Sequence, residues 1–150
     1  MKCPGDRAWA IFFCRAILGF IFFMAGIYKC FVMTPFGHAR HFFVGPYAGT
    51  FLPTWSLWAT GTIVPVVELM GGALVLVGFK TRPALLSLGA VLVLVTFGHL
   101  LTEPLYEFHT HVIPRLGLLT LVLLLPQEED AISLDGFLRS REGRPTASPP

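Results

Sequence analysis

The chain has 150 residues, of which 54% are hydrophobic and 13% charged, and its formal net charge is +2. An ordinary soluble domain carries about 25% charged residues, so this composition indicates an integral membrane protein with one domain. The small net charge, without a basic run interleaved with aromatic residues, excludes a nucleic-acid-binding class.

The first predicted element is a transmembrane helix over residues 8–28. Lys2 and Arg7 precede it as in a signal peptide, but the charge of Arg15 inside the run and the lack of a clear cleavage site favour a retained helix. At ~100° per residue, Arg15, two glycines and Lys29 fall within ~40° of one stripe. A cation so far inside an apolar run is expected to face the bundle with a partner, the alternative being a side chain that snorkels to the headgroups.

Residues 32–53 follow, and their prolines and glycines break any long helix. The segment is rich in Phe and Tyr, which predicts an extramembrane loop at the membrane interface. His38 and His41 would share one face of a helical turn and are a candidate metal pair. The alternative is that both are solvated or headgroup-facing histidines.

The second predicted span, residues 55–79, carries Glu68 near its middle. A carboxylate at the bilayer midplane costs about 2.5–3.5 kcal/mol on insertion scales, so Glu68 is expected to face the bundle and pair with a cation or donor. Several glycines share its face, and small residues let a neighbouring helix approach. Pro65 removes one backbone hydrogen bond, which predicts a kink that either serves function or only packing.

The third predicted span covers residues 83–101, with His99 near its far end. The fourth covers residues 105–125, and Arg115 falls near mid-depth if the helix begins at the first of these residues. If the helix begins at Pro114 instead, Arg115 is an interfacial anchor. We favour the longer helix, because only this one reaches the roughly 20 residues that a bilayer requires.

The fold class predicted is an all-α membrane protein, a bundle of four transmembrane helices over residues 1–126 with a polar, partly disordered tail over residues 127–150. Cytoplasmic segments would hold seven Lys and Arg residues and the outer segments two, so both termini are expected inside (N-in/C-in). The expected location is the cell inner (plasma) membrane, multi-pass. His109 and His111, between the last two spans, form a second candidate metal pair.

The ionisable residues inside the spans are expected to meet. Arg15 and Arg115 would pair with Glu68, because a carboxylate–guanidinium pair satisfies both groups in a medium of low dielectric constant, and His99 and Lys29 would stand behind them. Such a pair serves either to hold the bundle together or to form a polar pocket open to a ligand or proton. A quinone suits a pocket of this kind, because its carbonyl oxygens need donors and its ring packs against aromatic side chains.

The order and spacing of R-x-x-L-G from Arg15, Gly26 with Lys29, and E-x-x-G-G from Glu68 resemble the DoxX family of small four-helix membrane proteins. The resemblance implies the four-helix fold and a small subunit of a membrane redox system. No catalytic residue is assigned, since nucleotide, flavin and haem-attachment motifs are absent from the sequence. The alternatives are a non-catalytic accessory subunit of a larger membrane complex and a small transporter. The expected partners are the lipid bilayer and other subunits or a second copy.

Overall fold

The computed structural model describes residues 5–103, 109–110, 112–126 and 130–142. Within these ranges the chain is helical and contains no strand. The helices are α1 (Asp6–Ile27), α2 (Pro35–Ala39), α3 (Thr54–Val77), α4 (Thr81–Thr102), α5 (Val112–Leu124) and α6 (Leu134–Glu142). A π-helical turn follows α1 at Tyr28–Val32, and another follows α2 at Arg40–Val44.

Three helices are long and apolar enough to cross a membrane: α1 extended by its π-helical turn (Asp6–Val32), α3 and α4. The prediction of a helical membrane protein is confirmed. The fourth span stays a prediction, because α5 has 13 residues and a bilayer requires roughly 17–25. Residues 109–110 form a turn, and the predicted start at residue 105 lies outside the described residues.

Helices α1 and α3 pack antiparallel, and glycines bring their backbones together. A Cβ atom added to Gly19 would lie 2.8 Å from the backbone nitrogen of Leu76, and one added to Gly26 would meet the backbone of Leu69 still more closely. Gly72 of α3 faces the backbone of α1 in the same way. Residue 19 therefore lies level with residue 76, and residue 26 lies level with residue 69. In this antiparallel register, the numbers of two residues at the same level add up to 95.

The rest of the interior is an apolar cluster to which four helices contribute. Gly71 of α3 faces the side chain of Leu88 of α4, and α5 reaches the cluster although it is short. Its buried members are Leu18, Phe22, Val75, Ala84, Leu85, Leu88, Leu92, Leu119 and Val122. Large apolar side chains such as Phe13, Phe20 and Met24 are exposed on the outside, as a surrounding bilayer would allow.

The segment between α1 and α3 differs from the predicted loop. Helix α2 has Pro35 at a position where a helix tolerates proline, and the Thr34 hydroxyl accepts a hydrogen bond from the Gly37 N–H at 3.2 Å. A Cβ atom added to Gly61 would lie 2.5 Å from the Cα atom of Ala39. Close packing against α3 therefore stabilises helical structure in a segment whose prolines and glycines disfavour it.

Candidate functional site

Glu68 pairs with Lys29, and its carboxylate is buried. The Glu68 Oε2 atom accepts a hydrogen bond from Lys29 Nζ at 2.5 Å. In the antiparallel register of α1 and α3, Lys29 lies level with residue 66. Arg15 lies instead at the last turn of α3, where it donates to the Val75 and Leu76 carbonyls, and its ion-pair partner is Asp130. The prediction that Arg15 pairs with Glu68 is therefore wrong.

Arg15 is buried at the opposite end of the bundle, where it holds three parts of the chain together. It donates to the carbonyl oxygens of Val75 and Leu76 at 2.6 and 2.7 Å. Those carbonyls belong to the last turn of α3, where the helix no longer supplies a donor four residues further on. Arg15 also donates to the Ile132 carbonyl at 2.7 Å, and its Nε atom lies 3.1 Å from Asp130 Oδ2. Arg15 thus caps α3 and fixes the segment that precedes α6.

A cavity of about 270 Å³ lies at the end of the bundle that contains Lys29 and Glu68. We call it the Lys29 cavity. Four of the five residues predicted for a polar pocket line it, and Arg15 does not. The polar and charged lining residues are Lys29, His38, Tyr47, Glu68, His99 and Arg115, and the apolar ones are Phe42, Phe43, Val64, Val91, Leu92, Val95, Gly98 and Val112.

His38 completes a hydrogen bond that α3 cannot make by itself. The Gly61 carbonyl would normally accept from the N–H of residue 65, which is Pro65 and has none. The His38 Nδ1 atom lies 2.7 Å from this carbonyl oxygen. A carbonyl only accepts, so Nδ1 carries the proton and Nε2 is the acceptor nitrogen of the neutral ring. Burial lowers the pKa of His38, which favours this neutral form.

Tyr47 closes the cavity against the end of α4, and nothing in the sequence singled it out. A Cβ atom added to Gly98 would lie 2.8 Å from the Tyr47 hydroxyl oxygen, so the tyrosine packs closely against α4 at this glycine. Burial raises the pKa of Tyr47. A tyrosine in a segment with many aromatic residues gives no signal until its contact with α4 is known.

Arg115 lies in the first turn of the described α5 helix and brings a second cation to the cavity. Its Cζ atom is 5.8 Å from the centroid of the Phe22 ring, a cation–π distance. The prediction that Arg115 pairs with Glu68 is wrong, because the described partner of that carboxylate is Lys29.

His38 and His41 lie in different surroundings, and the second pair, His109 and His111, stays a prediction. In the part of the chain that the structure describes, no group of three or more His, Cys, Asp or Glu residues is placed to hold a metal ion. His38, which belongs to α2, is buried against α3. His41 is exposed and packs edge-to-face on Phe42, with 4.8 Å between the ring centroids. His109 is exposed in a turn, and His111 lies outside the described residues.

The fold and this cavity define a helical membrane protein that has a cavity lined by ionisable side chains at one end of its bundle. Residues 7–103 match the family model described as methylamine utilisation protein MauE. The chain belongs to this family of membrane proteins. Neither a curated protein nor a solved structure matches it.

The family match overturns the resemblance to the DoxX family. The motifs behind that resemblance have general physical causes in this structure. Gly19 and Gly26 allow close packing of α1 on α3, and Arg15 caps a helix end. Glycines at such spacings are expected wherever two membrane helices pack closely, so the motifs are not specific to one family.

Proposed function

We propose that this chain is an accessory membrane protein of an amine-utilisation system and that it binds a small oxygen-bearing molecule in the Lys29 cavity. The family description suggests the system, and the cavity suggests the binding. The observation that carries the proposal is a partly buried Lys29–Glu68 pair beside a space of about 270 Å³ with aromatic and aliphatic walls. Small-molecule sites are typically concave and mostly apolar, with a few placed polar groups.

The charges of the cavity argue against the amine itself as its ligand. A primary amine is protonated near neutral pH, as the lysine side chain with its pKa of about 10.4 is. Among the described residues that line it, the cavity holds the cations of Lys29 and Arg115 and the carboxylate of Glu68. A third cation would be repelled, so the chain would serve amine utilisation through a different molecule.

The volume favours a ligand the size of a single ring. The cavity's volume of about 270 Å³ lies just below the range of about 300–1,000 Å³ that is typical of small-molecule sites. A quinone head meets this size, its ring would pack against apolar lining side chains such as Phe43 and Val95, and its carbonyl oxygens would find donors on Lys29 and Arg115. A redox-linked role through a quinone is one form of the proposed function, and an oxygen-bearing ring acid is another.

The alternatives have less support. A scaffold would present its glycine-rich faces to partner helices, but Gly19, Gly26 and Gly72 are used in the contact between α1 and α3. A transporter requires a polar path through the bundle. Among the described residues, the region between the levels of Glu68 and Arg15 is filled by the apolar cluster, which favours binding over conduction.

Two substitutions on one helix test the proposal. Val95 lines the cavity, whereas Val93 is 70% exposed on the same helix. We expect Val95→Trp to fill the cavity and Val93→Trp to leave it open. The variants and the unchanged protein would be purified in nanodiscs, and co-purified small molecules identified by mass spectrometry. Binding of trimethyl-1,4-benzoquinone and 4-methylbenzoate would be measured by calorimetry.

The expected result is that the unchanged protein and Val93→Trp bind at least one of these compounds and that Val95→Trp binds it tenfold or more weakly. Loss of amine-dependent growth with Val95→Trp but not with Val93→Trp would connect binding to the pathway. Equal binding by both variants, or no binding by the unchanged protein, would refute the cavity as a ligand site.

A further inference from the structure

We infer that the Lys29 cavity selects an anion, namely a single-ring carboxylate whose oxygens contact Arg115 and Lys29. The inference rests on the proposed function, since it names the class of molecule that the cavity binds. It separates two ligands that the volume alone does not distinguish, a neutral quinone and a ring acid.

Lys29 is the more accessible partner of the ion pair. The Lys29 side chain is 25% exposed, whereas that of Glu68 is 5% exposed. An ammonium group has three N–H donors, and the described partner takes one of them through Glu68 Oε2. The remaining donors of Lys29 are suited to a carboxylate oxygen.

Arg115 adds a cation that no described carboxylate neutralises. Its described contact is a cation–π contact with the ring of Phe22, with 5.8 Å between the Cζ atom and the ring centroid. The N–H edge of Arg115 is the group that binds a carboxylate through two parallel hydrogen bonds. Helix dipoles do not change this charge balance, because α4 ends and α5 begins at the same end of the bundle.

The walls of the cavity argue for an organic acid over an inorganic anion. The apolar side chains of Val64, Val91, Val95, Phe42 and Phe43 line the space. A hydrated phosphate or sulfate would leave these apolar surfaces against water. A flat ring with one carboxylate would cover them and place its charge beside the two cations.

Three compounds of matched size and shape test the inference: 4-methylbenzoate, 4-methylbenzamide and 4-methylbenzamidine, which carry a negative, no and a positive charge at pH 7. Binding would be measured by calorimetry on the full chain in phosphatidylcholine nanodiscs, with empty nanodiscs as the reference. We expect the carboxylate to bind at least tenfold more tightly than the amide, and the amidine to show no binding.

Variants then assign the preference to residues. Arg115→Gln should reduce carboxylate binding to the level of the amide, and Arg115→Lys should keep part of the preference. Arg82→Gln, an exposed arginine at the other end of the bundle, should change nothing. Glu68→Gln should tighten carboxylate binding severalfold, because it removes the competing carboxylate and frees the Lys29 ammonium group. If this variant does not fold, the Arg115 and Arg82 variants decide the question.

The outcomes distinguish the inference from the proposed function. Equal binding of carboxylate and amide, both lost in Val95→Trp, would overturn the inference and leave the cavity as a ligand site. Preference for the carboxylate that persists in Arg115→Gln would also overturn it. Absence of binding by all three compounds and by trimethyl-1,4-benzoquinone would overturn the proposed function itself.

Discussion

The hydrogen bond between His38 and the Gly61 carbonyl should stabilise the protein because residue 65 is a proline and cannot donate to that carbonyl. The substitution His38→Phe retains a ring against Phe42 and Phe43, whose centroids lie 5.1 and 5.7 Å from that of His38. It removes the N–H that the Gly61 carbonyl receives at 2.7 Å. A buried backbone group without a partner costs about 1–3 kcal/mol, so we expect His38→Phe to lower the free energy of unfolding by about 2 kcal/mol.

The second substitution of the cycle is Pro65→Ala. It restores the N–H that donates to Gly61 within α3, so the carbonyl no longer depends on His38. In this background His38→Phe should cost about 1–2 kcal/mol less, and that difference is the coupling energy between the two positions. His38→Asn retains an amide donor and should lie between the two.

The four proteins of the cycle would be unfolded with dodecyl sulfate in mixed micelles and followed by the fluorescence of the three tryptophans. His41→Phe is the matched control, because that neighbouring histidine is exposed, and it should leave the unfolding midpoint unchanged. If His38→Phe costs the same with and without the Pro65→Ala substitution, the hydrogen bond to Gly61 does not explain the burial of His38.

Three further outcomes are expected. Burial lowers the pKa of His38 below its ordinary 6.5, so the stability that this residue contributes is present above pH 6.5 and falls as the pH decreases. Thermal unfolding measured between pH 8 and 5 should show this loss of stability. If the same loss persists in His38→Phe, it does not come from His38. Arg15→Met should cost about 3–5 kcal/mol, since it leaves Asp130 buried without its cation, and a melting temperature equal to that of the unchanged protein would refute the capping role. Gly26→Ala should lower the free energy of unfolding by about 1–3 kcal/mol, because the added methyl group forces α1 away from α3. Gly117→Ala is the control, since a Cβ atom at Gly117 meets open space, and it should not destabilise the protein. Equal effects of the two substitutions in dodecyl sulfate unfolding would contradict the glycine contact.

Helical periodicity predicted which residues share a face, but not which residues lie at the same depth. Arg15 and Lys29 fall on one stripe of α1, fourteen positions or about 21 Å apart. Which of them meets Glu68 depends on the register of α1 against α3. That register follows from tertiary contacts such as Gly26 against Leu69, and one sequence shows that the glycines exist without showing what they face.

The cavity wall contributed by the aromatic segment was not predictable for a related reason. Proline and glycine correctly mark interruptions around α2, but contact of Ala39 with Gly61 decides that the segment packs as a helix on α3. The sequence does show that Pro65 leaves one carbonyl of α3 without a donor. It does not show that the donor is His38, twenty-three positions before Gly61, because only the packing of α2 on α3 brings these two residues together.

The Arg15 contacts also bear on how much of the chain folds as one cooperative unit. The family match ends at residue 103, yet the carboxylate that compensates this arginine is Asp130, and a further hydrogen bond goes to Ile132. Leu119 and Val122 belong to the same apolar cluster as Leu18. A chain truncated at the limit of the family match would therefore bury a guanidinium without its counter-ion and lose part of its core, so the autonomous domain extends at least to the start of α6.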